Sequence, residues 1–185
     1  SEVTRILVPS NTKILFTHAK LLPVALEAVK EASCVEHVVV IPDAASDSKL
    51  EGAVQLEDLL TFHSSDKGDG GSDPVEHVNE HPWLLPYSSG TTGLPKGVML
   101  THGNMLANLL QLEAVEKESF PREQSLISPL PFFHIYGLMA SLLYSGWQGQ
   151  TLITTSDRFD LAKFCELVSE HRPSRAHLVP PIILG

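Results

Sequence analysis

Residues 87–97 read Tyr-Ser-Ser-Gly-Thr-Thr-Gly-Leu-Pro-Lys-Gly. Ser88, Ser89, Thr91 and Thr92 offer short hydroxyl donors, and Lys96 adds a compact, mobile positive charge. Gly90 and Gly93 let the backbone turn sharply and approach a ligand closely, while Pro95 limits the freedom of the loop ahead of the lysine. The stretch carries no apolar stripe and little bulk, so packing does not account for it. Hydroxyls, backbone N–H groups and one cation are what phosphate oxygens require. A plain glycine/serine linker is the other reading. It is disfavoured because Gly97-Val98-Met99-Leu100 follows at once as an apolar strand. The nearest competing phosphate motif, G-x-x-x-x-G-K-[ST], fails on spacing, since Leu94 and Pro95 separate Gly93 from Lys96. It fails also on context, because that motif opens directly into a helix and this one runs into a strand.

His134 is the second candidate. Pro129-Leu130-Pro131-Phe132-Phe133-His134 follows an expected strand, which places the imidazole at the carboxyl edge of a sheet. In an open α/β sheet that edge is where ligands bind. The competing reading is a satisfied histidine in an apolar core. His77-Val78-Asn79-Glu80-His81 spells H-x-x-E-H, an inverted zinc-peptidase pattern. Zinc would need a stable helix presenting both histidines and a third ligand. Pro74, Pro82 and the preceding glycine-rich stretch argue for a solvated linker, and no metal site is assigned.

The elements that would hold these residues alternate strand and helix. Strands are expected at 13–17, 37–41, 83–87, 98–100, 125–128, 151–154 and 176–179. Helices are expected at 21–31, 56–60, from a Thr101 cap through Leu112, at 138–145 and at 160–171. Such alternation predicts an α/β fold with a largely parallel sheet flanked by helices. A flexible polar linker is expected near 61–82, around Asp66-Lys67-Gly68-Asp69-Gly70-Gly71. With 43% hydrophobic and 19% charged residues, the 185-residue chain has the composition of a globular domain with a real core. The net charge of −9 and the scattering of thirteen Lys and Arg residues argue against a nucleic-acid partner. No apolar run approaches the length of a membrane span. Cys34 and Cys165 are expected as two buried free thiols, Cys165 on a helical face with Leu161, Phe164 and Val168.

Residues 87–104, Pro131-Phe132-Phe133-His134-Ile135-Tyr136-Gly137 and Val179-Pro180-Pro181-Ile182-Ile183-Leu184 resemble, in register, three motifs of the adenylate-forming (AMP-binding) superfamily. That group includes acyl-CoA synthetases, 4-coumarate–CoA ligases, firefly-type luciferases and peptide-synthetase adenylation domains, and the wording is closest to 4-coumarate–CoA ligase. The resemblance implies an acid–thiol ligase. A carboxylic acid is activated by ATP to an acyl-adenylate, then passed to coenzyme A, with Mg2+ riding on the ATP phosphates. It further implies that Ser88, Ser89, Gly90, Thr91, Thr92, Gly93 and Lys96 hold those phosphates. His134 would line the acyl and adenylate pocket, with Tyr136 against the acyl group, and Lys96 and His134 would act in the reaction. Arg158, in Asp157-Arg158-Phe159, resembles the family's basic position near coenzyme A; its other reading is a solvated arginine.

Complete family members are much longer, so 1–185 is expected to be part of an N-terminal AMP-binding domain, inactive alone and lacking the C-terminal domain. Two other classes stay open. One is a non-catalytic nucleotide-binding module; the other is a luciferase-like or carrier-protein-loading adenylation domain. An intracellular location is expected from the composition and the two free thiols, without deciding between cytoplasm and peroxisome.

Overall fold

The computed structural model describes residues 1–42, 51–60, 80–88, 96–116, 124–156 and 158–184. They fall into two compact units, Ser1–Val75 with Ser89–Gly97 and Glu76–Ser88 with Val98–Gly185.

The first unit is built on a three-stranded parallel sheet. A short helix, α1 (Thr4–Leu7), precedes strand β1 (Ile14–His18). A 3-10 turn at Ala19–Leu21 leads into α2 (Leu22–Lys30), which accepts Pro23 because the first helical turn has no N–H partner to lose. Strand β2 (His37–Ile41) pairs with β1 on one side and with β3 (Val54–Gln55) on the other. Its central position explains its sequence: Val38, Val39 and Val40 are all buried, since both faces of the strand are covered. Val38 and Val40 pack with Leu22, and Leu7, Ala28 and Ala32 form a second cluster. Helix α3 (Leu56–Leu60) follows β3. The elements α1 and β3 are too short to leave a periodic signal in the sequence.

The second unit begins with β4 (Pro82–Leu84) and β5 (Tyr87–Ser88). On the far side of the glycine-rich loop in sequence lie β6 (Lys96–Gly97), which belongs to the first unit, and β7 (Leu100–Thr101). The two strands expected at 83–87 and 98–100 are therefore four short ones. For the first of them proline is the physical reason: Pro86 has no N–H to continue a ladder, and only its carbonyl is used, accepting from Val98 N at 2.9 Å. Strands β4 and β7 pair antiparallel. Thr101 caps α4 (His102–Glu116) as anticipated, through a reciprocal pair of bonds. Asn104 N donates to Thr101 Oγ1 at 3.1 Å and Thr101 N donates to Asn104 Oδ1 at 3.0 Å.

The centre of the second unit is β8 (Ser125–Ile127), flanked in parallel by β9 (Thr151–Ile153) and β10 (Arg175–Ala176). Leu126 and Ile127 are almost fully buried, again because the strand is central. Between β8 and β9 the chain forms a helix that widens at Gly137–Leu143, where the N–H of Tyr144 reaches Met139 O five residues back. It continues as α5 (Tyr144–Gln148) and stops at Gly149, whose φ of 68° favours glycine. The helix expected at 138–145 is thus longer and partly π-helical, a widening that leaves no mark in composition.

Helix α6 (Leu161–His171) starts at Asp160, whose Oδ1 accepts from Lys163 N at 2.7 Å, and α7 (Pro180–Leu184) starts at the proline pair. Those prolines also shorten the strand expected at 176–179, because the chain must leave the ladder to enter α7. Cys165 is exposed, not buried. Helix α6 turns Phe164 and Leu167 inward while Leu161, Cys165 and Val168 face out, so of the apolar face read from the sequence only Phe164 is turned inward. Cys34 is half-buried, its thiol 3.5 Å from Leu7 O, and both cysteines are free. The linker expected near 61–82 lies largely outside the described residues.

Removing the Thr101 hydroxyl should unfasten the start of α4. Thr101→Ala is expected to lower the unfolding free energy by about 1 kcal/mol, with Thr101→Ser restoring most of it, in urea titrations followed by circular dichroism.

Candidate active site

The loop residues Ser89, Gly90, Thr91, Thr92 and Gly93 lie outside the described residues. Their flanks are described: Ser88 ends β5 in the second unit and Lys96 opens β6 in the first, both exposed. His134, Tyr136 and Arg158 belong to the second unit.

His134 sits in the segment that leaves the carboxyl end of β8, and it is exposed. It is not the satisfied core histidine of the alternative reading. Its carbonyl accepts from Leu138 N at 3.0 Å and its Nδ1 accepts from Tyr136 N at 3.2 Å. The imidazole therefore caps the first turn of the helix as a serine or aspartate would. Because Nδ1 is an acceptor, the ring proton stands on Nε2, leaving an exposed N–H donor fixed in direction by the backbone. That donor is suited to an anionic or carbonyl oxygen.

Gly137 makes this placement possible. A Cβ on Gly137 would stand 2.4 Å from Pro131 O and 3.0 Å from Pro131 C. The helix can approach the 129–134 segment only without a side chain there. The same segment exposes Phe133 and Ile135, and leaves Tyr136 37% exposed with its ring tilted against that of His177 at 5.7 Å.

His177 was not anticipated as a site residue, nor were Ser128 and Ser141. The register explains how they meet. Ala176 pairs with Ile127, and one position further Ser128 and His177 stand on neighbouring chains at the carboxyl edge. Their backbones extend the ladder, Ser128 N donating to Ile153 O at 2.9 Å and His177 N to Ile127 O at 3.0 Å. Ser141, from the widened helix, donates to Ser128 Oγ at 2.8 Å and lies 2.9 Å from His177 Nδ1. All three side chains are buried. The available signal was a serine inside the apolar run Gly137-Leu138-Met139-Ala140-Ser141-Leu142-Leu143 and a histidine two residues ahead of Val179. Beside this network Arg175 pairs with Glu116 of α4 and lies 5.9 Å over the Tyr144 ring. Burial above all, with the Arg175 charge adding to it and Glu116 opposing it, holds the His177 pKa below the ordinary imidazole value of 6.5.

Arg158 lines a cavity of about 370 Å³ at the carboxyl ends of β8 and β9 and the start of α6. Phe159, Phe164 and Leu167 give it apolar walls, and Ser128, Thr155 and Lys163 give it polar ones. His134 and Tyr136 are not among its lining residues. Asp160 already caps α6, so an anion here would rest on Arg158 and Lys163 and not on free helix N–H groups. Among the described residues no three His, Cys, Asp or Glu side chains come together as a metal site. Among them also, no helix is long and apolar enough to cross a membrane.

Residues 1–184 match the family described as AMP-binding enzyme. The chain belongs to that family. It is 34% identical over 187 residues to 4-coumarate:CoA ligase 1 of Petunia hybrida, a match covering 100% of the chain and 32% of the relative. It is 41% identical over 140 residues to 4-coumarate--CoA ligase-like 1 of Arabidopsis thaliana, covering 75% of the chain and 25% of the relative. The chain thus spans about a third or less of the length of the curated relatives it matches. Its fold is shared with the anthranilate CoA ligase AuaEII in complex with anthranoyl-AMP, at a TM-score of 0.81 and 21% identity over 98% of the chain and 33% of that structure. It is shared also with the N-terminal domain of FACL13 from Mycobacterium tuberculosis, at a TM-score of 0.68 and 23% identity over 99% of the chain and 41% of that structure. The α/β fold with parallel sheets expected from the sequence is therefore the fold of this family's N-terminal domain.

Two outcomes follow from the geometry. Gly137→Ala forces a methyl against backbone and should destabilise the fold by about 2–3 kcal/mol, read as a lower urea midpoint at unchanged slope. Acid should weaken the fold through His177, which faces Arg175, Glu116 and the Tyr136 ring. On acidification the unfolded chain takes up a proton near pH 6.5 while buried His177 resists it. Stability contributed by the neutral imidazole is therefore full above that pH and falls as the pH drops through it, levelling only below the folded-state value. The unfolding free energies of the native chain and of His177→Asn should accordingly converge as the pH is lowered from about 7.5 to 5.5.

Proposed function

We propose that the whole protein carrying this chain activates a carboxylic acid with ATP and transfers the acyl group to coenzyme A. The observation that carries this reading is the membership of residues 1–184 in the AMP-binding enzyme family. It is supported by the phosphate-binding composition of 88–96 and by the exposed, directionally held Nε2–H of His134. Relatives named as 4-coumarate:CoA ligases favour coenzyme A as the acceptor over a luciferase-like oxidation or a carrier protein.

In the first step a carboxylate oxygen attacks the α-phosphorus of ATP, the new P–O bond forms, and the bond to the β-phosphate oxygen breaks to release pyrophosphate. In the second step the thiol sulfur attacks the acyl carbonyl carbon, loses its proton, and AMP departs. The carboxylate is already nucleophilic, so the protein's task is alignment and charge stabilisation. Lys96 and the hydroxyl and amide groups of 88–93 act on the leaving β- and γ-phosphates, and Mg2+ enters bound to ATP as part of the substrate. His134 donates from Nε2 to the adenylate, and Tyr136 walls the acyl group. Arg158, in its cavity at the carboxyl edge of β8 and β9, is assigned to a phosphate of coenzyme A.

The roles of Lys96 and His134 separate in time. Lys96→Ala in the whole protein should slow pyrophosphate-forming adenylation roughly ten- to a hundred-fold, the loss of one charge-assisted phosphate contact. Thioester formation from a preformed acyl-adenylate should be nearly unchanged, because those phosphates have left. His134→Ala should slow both halves. Single-turnover kinetics of each half-reaction provide the test, and equal slowing of both by Lys96→Ala would overturn the assignment. Absence of acid-dependent pyrophosphate release from the unmutated whole protein would leave a nucleotide-binding module in its place.

A further inference from the structure

Three side chains beneath the aromatic-His segment are used by no step of the proposed reaction. Ser128 and Ser141 are fully buried and His177 is nearly so. Buried polar groups add little stability over apolar residues of the same shape, and cost several-fold more when a partner is lost. Ser141 gives its single hydroxyl proton to Ser128 Oγ, so it can only accept from His177. The imidazole is thus protonated on Nδ1, with its plane and tilt set by a side chain of the widened helix. Ser128 Oγ is held in turn by Leu130 N at 3.4 Å. The chain of bonds ties together the exit of β8, the widened helix and the exit of β10.

The ring that His177 meets is that of Tyr136. Its ring stands 5.7 Å from that of His177 at an interplanar angle of 32°, and it is 37% exposed, so one side is packed and the other open. Phe133, three residues before it, is 89% exposed. The widened helix next to Tyr136 has a looser hydrogen-bond pattern than an α-helix, so backbone alone does not set the ring.

We propose that His177 is a positioning residue for the acyl pocket: held by Ser141 and Ser128, its ring sets where Tyr136 stands and so the width available to the acid. This rests on the reading in which Tyr136 walls the acyl group. It assigns substrate discrimination partly to the exit of β10, a segment remote in sequence from 131–137.

His177→Asn is the informative variant, because Asn keeps a side-chain N–H for Ser141 and removes only the ring. In the whole protein the KM for the carboxylic acid should rise roughly ten-fold while the KM for ATP stays within about two-fold. The ratio of kcat/KM for a ring-substituted, bulkier acid to that for the unsubstituted acid should shift about five-fold or more toward the bulkier one. In a Tyr136→Ala background His177→Asn should leave that ratio unmoved, since the wall it positions is gone. A merely structural histidine would lower the melting temperature and the active fraction while leaving the ratio and both KM values unchanged, and that result would overturn the proposal. If His177→Asn does not fold, Ser141→Ala, which deletes one oxygen of the anchor, must shift the ratio in the same direction; an unchanged ratio again overturns it. Failure of the unmutated protein to release pyrophosphate with any acid would refute the functional reading and this inference together. Normal activity with an unmoved ratio would refute the inference alone.

Discussion

The second unit depends on the burial of one short strand. Strand β8 lies between β9 and β10 in a parallel ladder, and Leu126 and Ile127 are withdrawn from solvent on both faces. A parallel strand cannot be joined to its neighbour by a tight turn, so each connection must cross over and return, and the chains leaving the three strands emerge at one edge. Everything of chemical interest in this unit follows from that edge. His134 comes from the chain leaving β8, His177 from the chain leaving β10, and the cavity with Arg158 from the chain leaving β9. The first unit repeats the arrangement around β2, with a run of valines in the central place.

The approach of the widened helix to the 129–134 segment is the second constraint. It is set by what is missing at Gly137, where a methyl would meet the Pro131 carbonyl. That contact brings Ser141 within reach of Ser128 and His177, and lets the His134 ring fold back onto the helix it precedes. A polar network and an aromatic-His segment that look independent in sequence share one steric condition.

Much of this was legible in the residues. The valine run of β2, the Thr101 cap and the Asp160 start of α6 are local patterns, and local patterns survive folding. The family was legible because residues 87–104 combine residue types that packing of a core does not call for. Other features were not legible, each for a physical reason. Pro86 interrupted the strand expected at 83–87, and the strand expected at 98–100 is two short ones, because ladder bonding depends on neighbours the sequence does not name. Cys165 was placed inward since a helical face fixes which residues lie together but not which way they look. His177 escaped notice because its role depends on the pairing of β8 with β10, across about fifty residues of chain. The π-helical widening is likewise a product of packing.

The capping geometry of His134 bears on how such a site can change over evolutionary time. One ring nitrogen is bonded to the backbone and the other is exposed; under the proposed function the exposed one would serve the ligand, so the residue would meet two independent demands. Asparagine, aspartate or serine can satisfy the first demand and not in the same way the second. A descendant released from the proposed reaction would therefore be free to drift among short capping residues at this position while keeping the turn intact. Drift to an apolar residue would carry a folding penalty even where no reaction is under selection. The identity of the residue at this position in a relative thus reports separately on retained architecture and retained chemistry.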